Sequence, residues 1–170
     1  MNIVVMVIAF FAGAIIENLL PVCISLGQAK VPIIMSVTIY YALNRSFNLM
    51  LLAAIIGGIL SDSLNAITLG YSSALFCALC LLIRIYSKTV FGGKWLIHMF
   101  FGALDGLGYT IFLYGLLALT QESVHGTAPL WICMKVIGTG MFGAITVPVV
   151  FEIMKRFDQI MGNIESDVSE

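Results

Sequence analysis

FNLMLLAAIIGGIL (residues 47–60), SDSLNAITLG (61–70) and YSSALFCALCLLIRIY (71–86) follow one another without a break, and together they set the character of the chain. Asn48 is the one polar side chain of the first run, which carries no charge. The third carries only Arg84, near its end. Between them lie Ser, Asp, Asn, Thr and Gly, the residues of caps and turns. Two apolar runs of this kind, back to back across a short polar loop, read as neighbouring membrane helices. Composition agrees: of 170 residues, 61% are hydrophobic and 10% charged. Soluble domains carry roughly 25% charged residues and 45–50% apolar ones, so a water-soluble globular domain is excluded, as are disorder, collagen and coiled coil. A net charge of −1 offers no basic surface for nucleic acid.

Working outward, four more apolar runs appear. Residues 3–20 hold one charge, Glu17, near the far end. No Lys or Arg precedes this run, so it reads as an uncleaved first helix rather than a secretory signal. Val31 to Leu43 is apolar but short, opens on Pro32 in a first-turn position, and needs flanks from Gln28 to Ser46 to span. Residues 95–119 and 129–151 complete the set. At about 20 residues per crossing, the expectation is an all-α integral membrane protein. Its six transmembrane helices (about 3–20, 28–46, 47–60, 71–86, 95–119 and 129–151) would form a compact bundle over residues 1–151. Residues 152–170 would be an amphipathic and acidic cytoplasmic tail. Counting Lys and Arg in short loops puts Arg45, Arg84, Lys88, Lys94, Lys155 and Arg156 on one side and Lys30 on the other. The asymmetry places both termini in the cytoplasm.

Ionisable side chains inside apolar runs are expensive and mark sites. Four stand out: Glu17, Asp62 and Lys135 in the outer half of the expected bundle, where Lys135 can pair with either carboxylate, and Asp105 deeper, between Gly102 and Gly106. The functional reading is a polar pocket or a partner-docking site; the structural one is snorkelling for the first three and hydroxyl partners for Asp105. The letters Gly138-Thr139-Gly140-Met141-Phe142-Gly143 fit a dinucleotide fingerprint, but that motif belongs between a strand and a helix in water. Here, as for Gly102-x-x-x-Gly106, close helix packing is the reading. Cys77 and Cys80 lie in an apolar run with no second pair, and His98 and His125 fall on opposite sides, so neither a metal nor a cofactor is expected. No nucleophile–base arrangement stands out, and the chain does not read as an enzyme.

Residues 17–86 carry a further pattern. Glu17-Asn18-Leu19-Leu20-Pro21 closes the first helix, and Val31-Pro32-Ile33-Ile34 opens the second. Gly57-Gly58-Ile59-Leu60-Ser61-Asp62 ends the third, and Leu69-Gly70 opens the fourth. This resembles the rod shape-determining protein MreD family, with its Pro-started second helix and a Gly-x-x-x-Asp segment followed by Leu-Gly. Members of that family commonly carry an acid directly after the Pro, where this chain has Ile33. The resemblance implies a bundle similar to the S components of energy-coupling-factor transporters. It also implies a bacterial inner-membrane scaffold of the cell-elongation, peptidoglycan-synthesising machinery. Its partners would be MreC directly, and MreB, RodA and a class B penicillin-binding protein through it. It further assigns Asp62, Gly58 and Gly70 to the family motif. The alternatives from other classes are the substrate-binding subunit of a vitamin transporter, with a pocket lined by Glu17, Asp62 and Lys135, and a small channel or lipid-handling enzyme using Asp105.

Overall fold

The computed structural model describes residues 2–65, 69–87, 94–119 and 129–160. Their fold is all-α, with six α-helices: α1 (Asn2–Leu19), α2 (Ile33–Asn44), α3 (Phe47–Leu64), α4 (Tyr71–Ser87), α5 (Lys94–Leu119) and α6 (Pro129–Ile160). Two are long and apolar enough to cross a membrane, Phe47–Leu64 and Trp131–Gln159. The basic connection expected around Lys88, Gly92 and Gly93, the loop with His125, and the acidic end of the tail lie outside the described residues.

α2 is the centre of the bundle. All its side chains from Ile34 to Ala42 are buried, which is what an apolar helix with no polar stripe requires. Its two aliphatic hydroxyls bond to backbone one turn earlier: Ser36 donates to the Pro32 carbonyl at 2.7 Å and Thr38 to that of Ile34 at 2.9 Å. Phe10, Tyr40, Tyr41, Met50 and Phe76 fill the space around it. The helix is shorter than the expected 28–46: it has 12 residues, about 18 Å of rise, against a hydrocarbon core of ~30 Å.

The residues before it are not helical. A single 3-10 turn, Ile24–Leu26, is closed by an antiparallel bridge between Cys23 and Ala29. Gly27 and Gln28 turn the chain at φ 64° and 59°. This hairpin lies against α6: a Cβ on Gly27 would sit 2.7 Å from the Lys135 nitrogen, and one on Gly138 would sit 2.9 Å from the Leu26 Cβ. Gly138 is about 13 Å along α6 from its start, so the hairpin reaches well into the bundle. Irregular backbone at such depth is tolerated where it packs on protein and bonds to itself. Here Cys23 N–H donates to Ala29 O at 3.1 Å and Ala29 N–H to Leu26 O at 3.2 Å.

α5 and α6 cross at their glycines. A Cβ at Gly102 would overlap the Gly143 carbonyl, one at Gly143 would overlap that of Gly102, and Gly106 lies against Thr139 O. Thr110 and Thr139 share a hydroxyl–hydroxyl bond of 2.7 Å across the same seam. The GxGxxG letters are therefore part of a packing surface. On the outer face of α6, Ile137, Met141, Ile145, Val149 and Ile153 form an exposed apolar row at helical spacing, a face suited to lipid.

α6 also runs past the expected end at residue 151. Its 32 residues rise about 48 Å, so the first part of the expected tail continues the last helix. Within it Met154 and Asp158 are buried against the bundle rather than laid on an interface. Asp158 makes an ion pair with Arg45 at 2.7 Å, and the Tyr40 hydroxyl donates to the same carboxylate oxygen.

Candidate functional site

One end of the bundle encloses a cavity of about 490 Å³. It is lined from the last turns of α1 and α3, the stretch of α5 from its middle at Gly106 to Tyr114, the first turns of α2 and α6, the hairpin before α2, and Phe76 of α4. Glu17, Lys30 and Lys135 bring charge to it; Tyr109 and Tyr114 contribute aromatic walls with a polar edge.

Glu17 reaches the cavity from α1, but its carboxylate is already held. Its Oε2 accepts the backbone N–H groups of Ile33 and Ile34, each at 3.0 Å. Both belong to the first turn of α2, whose N–H groups have no partner within the helix; that of Ile33 also reaches the Val31 carbonyl at 3.0 Å. An anion there is favoured both by the hydrogen bonds and by the positive end of the helix. Glu17 therefore caps α2 from another helix and fixes where it starts. The Pro32 N-cap has no side-chain bond of its own to offer, and the acid comes from α1 instead.

Asp62 is the second capping carboxylate. It is wholly buried and lies in the last turn of α3, a turn that runs to Leu64 rather than ending at Leu60. One oxygen accepts Gly70 N–H at 2.7 Å, the other Ser72 N–H at 3.0 Å. Gly70 is the residue that permits this return, at φ 108°. Four residues before Asp62, Gly58 lets the Ser73 backbone cross so closely that any Cβ would collide with it. Gly58, Asp62 and Gly70 thus form one device that clamps the start of α4 onto α3. Asp62 does not line the cavity, in contrast to the expected trio of Glu17, Asp62 and Lys135.

Lys135 projects from α6 towards two rings. Its ammonium lies 5.2 Å from the centroid of Trp131 and 5.5 Å from that of Tyr114. The expected pair with a carboxylate is not formed. The ion pairs among the described residues are Arg45–Asp158 and Arg156–Glu152. Both carboxylates open to Lys135 in the sequence reading are engaged by backbone N–H groups instead. Lys30, on the hairpin, donates to the Asn65 side-chain oxygen at 3.3 Å. Asp105 falls on α5 one residue before the cavity-lining Gly106, but its side chain lies outside the described residues.

The sequence reading missed the opposite end. Arg45 in the α2–α3 turn and Asp158 near the end of α6 read as loop and tail charges, yet Arg45 is 12% exposed and Asp158 1%. The usable signal was the pattern Glu152, Lys155, Arg156, Asp158, whose helical spacing puts Asp158 on the side of Met154, away from Arg156. Arg84 braces the same turn, donating to the Arg45 carbonyl at 2.9 Å.

The chain matches no protein-family model, no characterised protein and no solved structure against which it was compared.

Proposed function

We propose that this chain is a non-catalytic membrane scaffold of the bacterial cell-elongation machinery, of the MreD type, that binds MreC through its transmembrane helices. It lies in the inner membrane with both termini in the cytoplasm. It crosses six times, the second crossing being made by α2 together with the hairpin before it. The observation that carries this reading is the meeting of the residues on which the resemblance rests. Gly58, Asp62 and Gly70, separate in sequence, join in one clamp between α3 and α4. Pro32 opens the central helix, and Glu17 brings a carboxylate to the helix start beside it, where members of that family commonly carry an acid. Long apolar helix faces, such as the exposed row on α6, are the surface on which such a scaffold would work.

A second reading, the substrate-binding subunit of a vitamin transporter, is favoured by the cavity. Its roughly 490 Å³ falls within the ~300–1,000 Å³ of small-molecule sites. Copurification separates the two. Tagged chain isolated from its native membrane in mild detergent is expected to retain MreC, and Asp62→Ala, which leaves the Gly70 and buried Ser72 N–H groups of the clamp without their acceptor, is expected to lose most of it at equal expression. Recovery of an ATPase-linked membrane subunit in place of any elongation protein would favour the transporter reading and overturn the scaffold one.

A further inference from the structure

The cavity is unbalanced in charge, and the imbalance identifies what would fill it. Ionised groups inside a bundle are tolerated when paired, because the low dielectric makes an uncompensated charge expensive. Glu17 meets this condition through the Ile33 and Ile34 N–H groups and the positive end of α2. Asp62 meets it through Gly70 and Ser72, outside the cavity. Lys135 does not: it has only ring faces beside it among the described residues, which orient an ammonium without neutralising it. Lys30, exposed at the mouth, donates to the neutral Asn65 oxygen and lies within reach of the Glu17 charge. Among the described residues the cavity thus presents two cations against one carboxylate that is already capping a helix, and Ile34, Met35 and Phe76 give it an apolar wall.

We infer that this cavity is a binding site for an anion carried on an apolar body, a carboxylate or a phosphate, with Lys135 as its counter-charge and Lys30 at the entrance. The anionic group would take the place of the carboxylate that Lys135 lacks among the described residues. The apolar body would lie along α2 and Phe76. The volume suits a lipid headgroup with the first part of its chain, or a small organic acid entire. The inference does not depend on the scaffold reading, since it rests on the charges of the cavity and not on any partner.

Trp131 gives the readout. It is one of two tryptophans, so Trp95→Phe leaves it as the sole indole, with its ring 5.2 Å from the Lys135 ammonium. Full-length protein in a neutral detergent is titrated with two matched pairs while Trp131 fluorescence is followed. The lipid pair is short-chain phosphatidylglycerol against short-chain phosphatidylcholine; the soluble pair is phenylpropionate against phenylpropionamide. Saturable binding of the anionic member, at least about tenfold tighter than its neutral or zwitterionic partner, supports the inference. The pair in which the difference occurs identifies the source, membrane or water. Lys135→Gln is expected to abolish the preference and Lys135→Arg to keep it. Lys30→Gln, on the exposed mouth where folding is not at stake, is expected to weaken it. Equal response to charged and uncharged members, or a preference that survives both Lys135→Gln and Lys30→Gln, would overturn the inference. MreC copurification remains a separate outcome, so failure of one reading is not failure of the other.

Discussion

Asp158→Ala is expected to destabilise the bundle by about 3–5 kcal/mol, the range for removing one partner of a buried ion pair. The carboxylate holds two groups at once, the Arg45 guanidinium at 2.7 Å and the Tyr40 hydroxyl. Its loss leaves a cation and a fully buried phenol facing an empty space. Arg45 keeps 12% of its side chain exposed and can turn part of its charge to water, which sets the expectation at the lower end of that range. Among the described residues the Arg45 Nε and the second Asp158 oxygen have no hydrogen-bond partner. For a chain of this length, ~3 kcal/mol corresponds to a fall of about 10 °C in melting temperature, measurable in detergent. The double variant Arg45→Met/Asp158→Leu is expected to recover part of the loss, since an apolar pair of similar volume removes the desolvation cost along with the attraction, while the Tyr40 hydroxyl stays without its acceptor. A single Asp158→Ala variant that melts with the wild type would show that α6 is not latched to the α2–α3 turn.

Gly102→Leu is expected to be nearly as damaging, for a steric reason. At the α5–α6 crossing, the atoms that a new Cβ would meet belong to the Gly143 backbone, and beside them the Val147 side chain. A flexible side chain can swing away; a helix backbone can yield only by moving the whole helix. Separation of α5 from α6 would also break the Thr110–Thr139 bond. Overpacking ordinarily costs about 1–3 kcal/mol, and a clash with backbone belongs at the top of that range. Gly115→Leu on the same helix is the control, because a Cβ there has nothing within 4 Å. The expected result is a large drop in melting temperature and in the monodisperse fraction for Gly102→Leu, and little change for Gly115→Leu. Equal effects would mean that helix propensity, not the crossing, governs this region.

Hydropathy read three of the helices closely because polar residues stand near where their apolar runs stop. Residues 3–20, 71–86 and 95–119 were expected, and Asn2–Leu19, Tyr71–Ser87 and Lys94–Leu119 are found. It failed where protein replaces lipid as the surroundings. α2 is short because its start is fixed by Glu17 and by a hairpin bonded to itself, neither of which leaves a mark in an apolar average. The end of α6 was misjudged because an amphipathic pattern fits an interfacial helix and a docked one equally well; burial of Met154 and Asp158 decides it. The site was half legible. Glu17, Asp62 and Lys135 stood out as charges in apolar runs, but attraction between opposite signs pointed to pairs among them. The carboxylates instead took backbone N–H groups at two helix starts, donors that exist only once the chain has folded.

The central claim, a scaffold that recognises another protein's helix within the membrane, is tested most directly by reconstitution. The purified full-length chain, labelled with a donor fluorophore, is placed in liposomes with an acceptor-labelled peptide of the MreC transmembrane helix, and energy transfer is followed as peptide is added. The account predicts saturable transfer that unlabelled MreC peptide competes away and a scrambled peptide of the same composition does not. Transfer that rises linearly with peptide, or equally for the scrambled sequence, would contradict it.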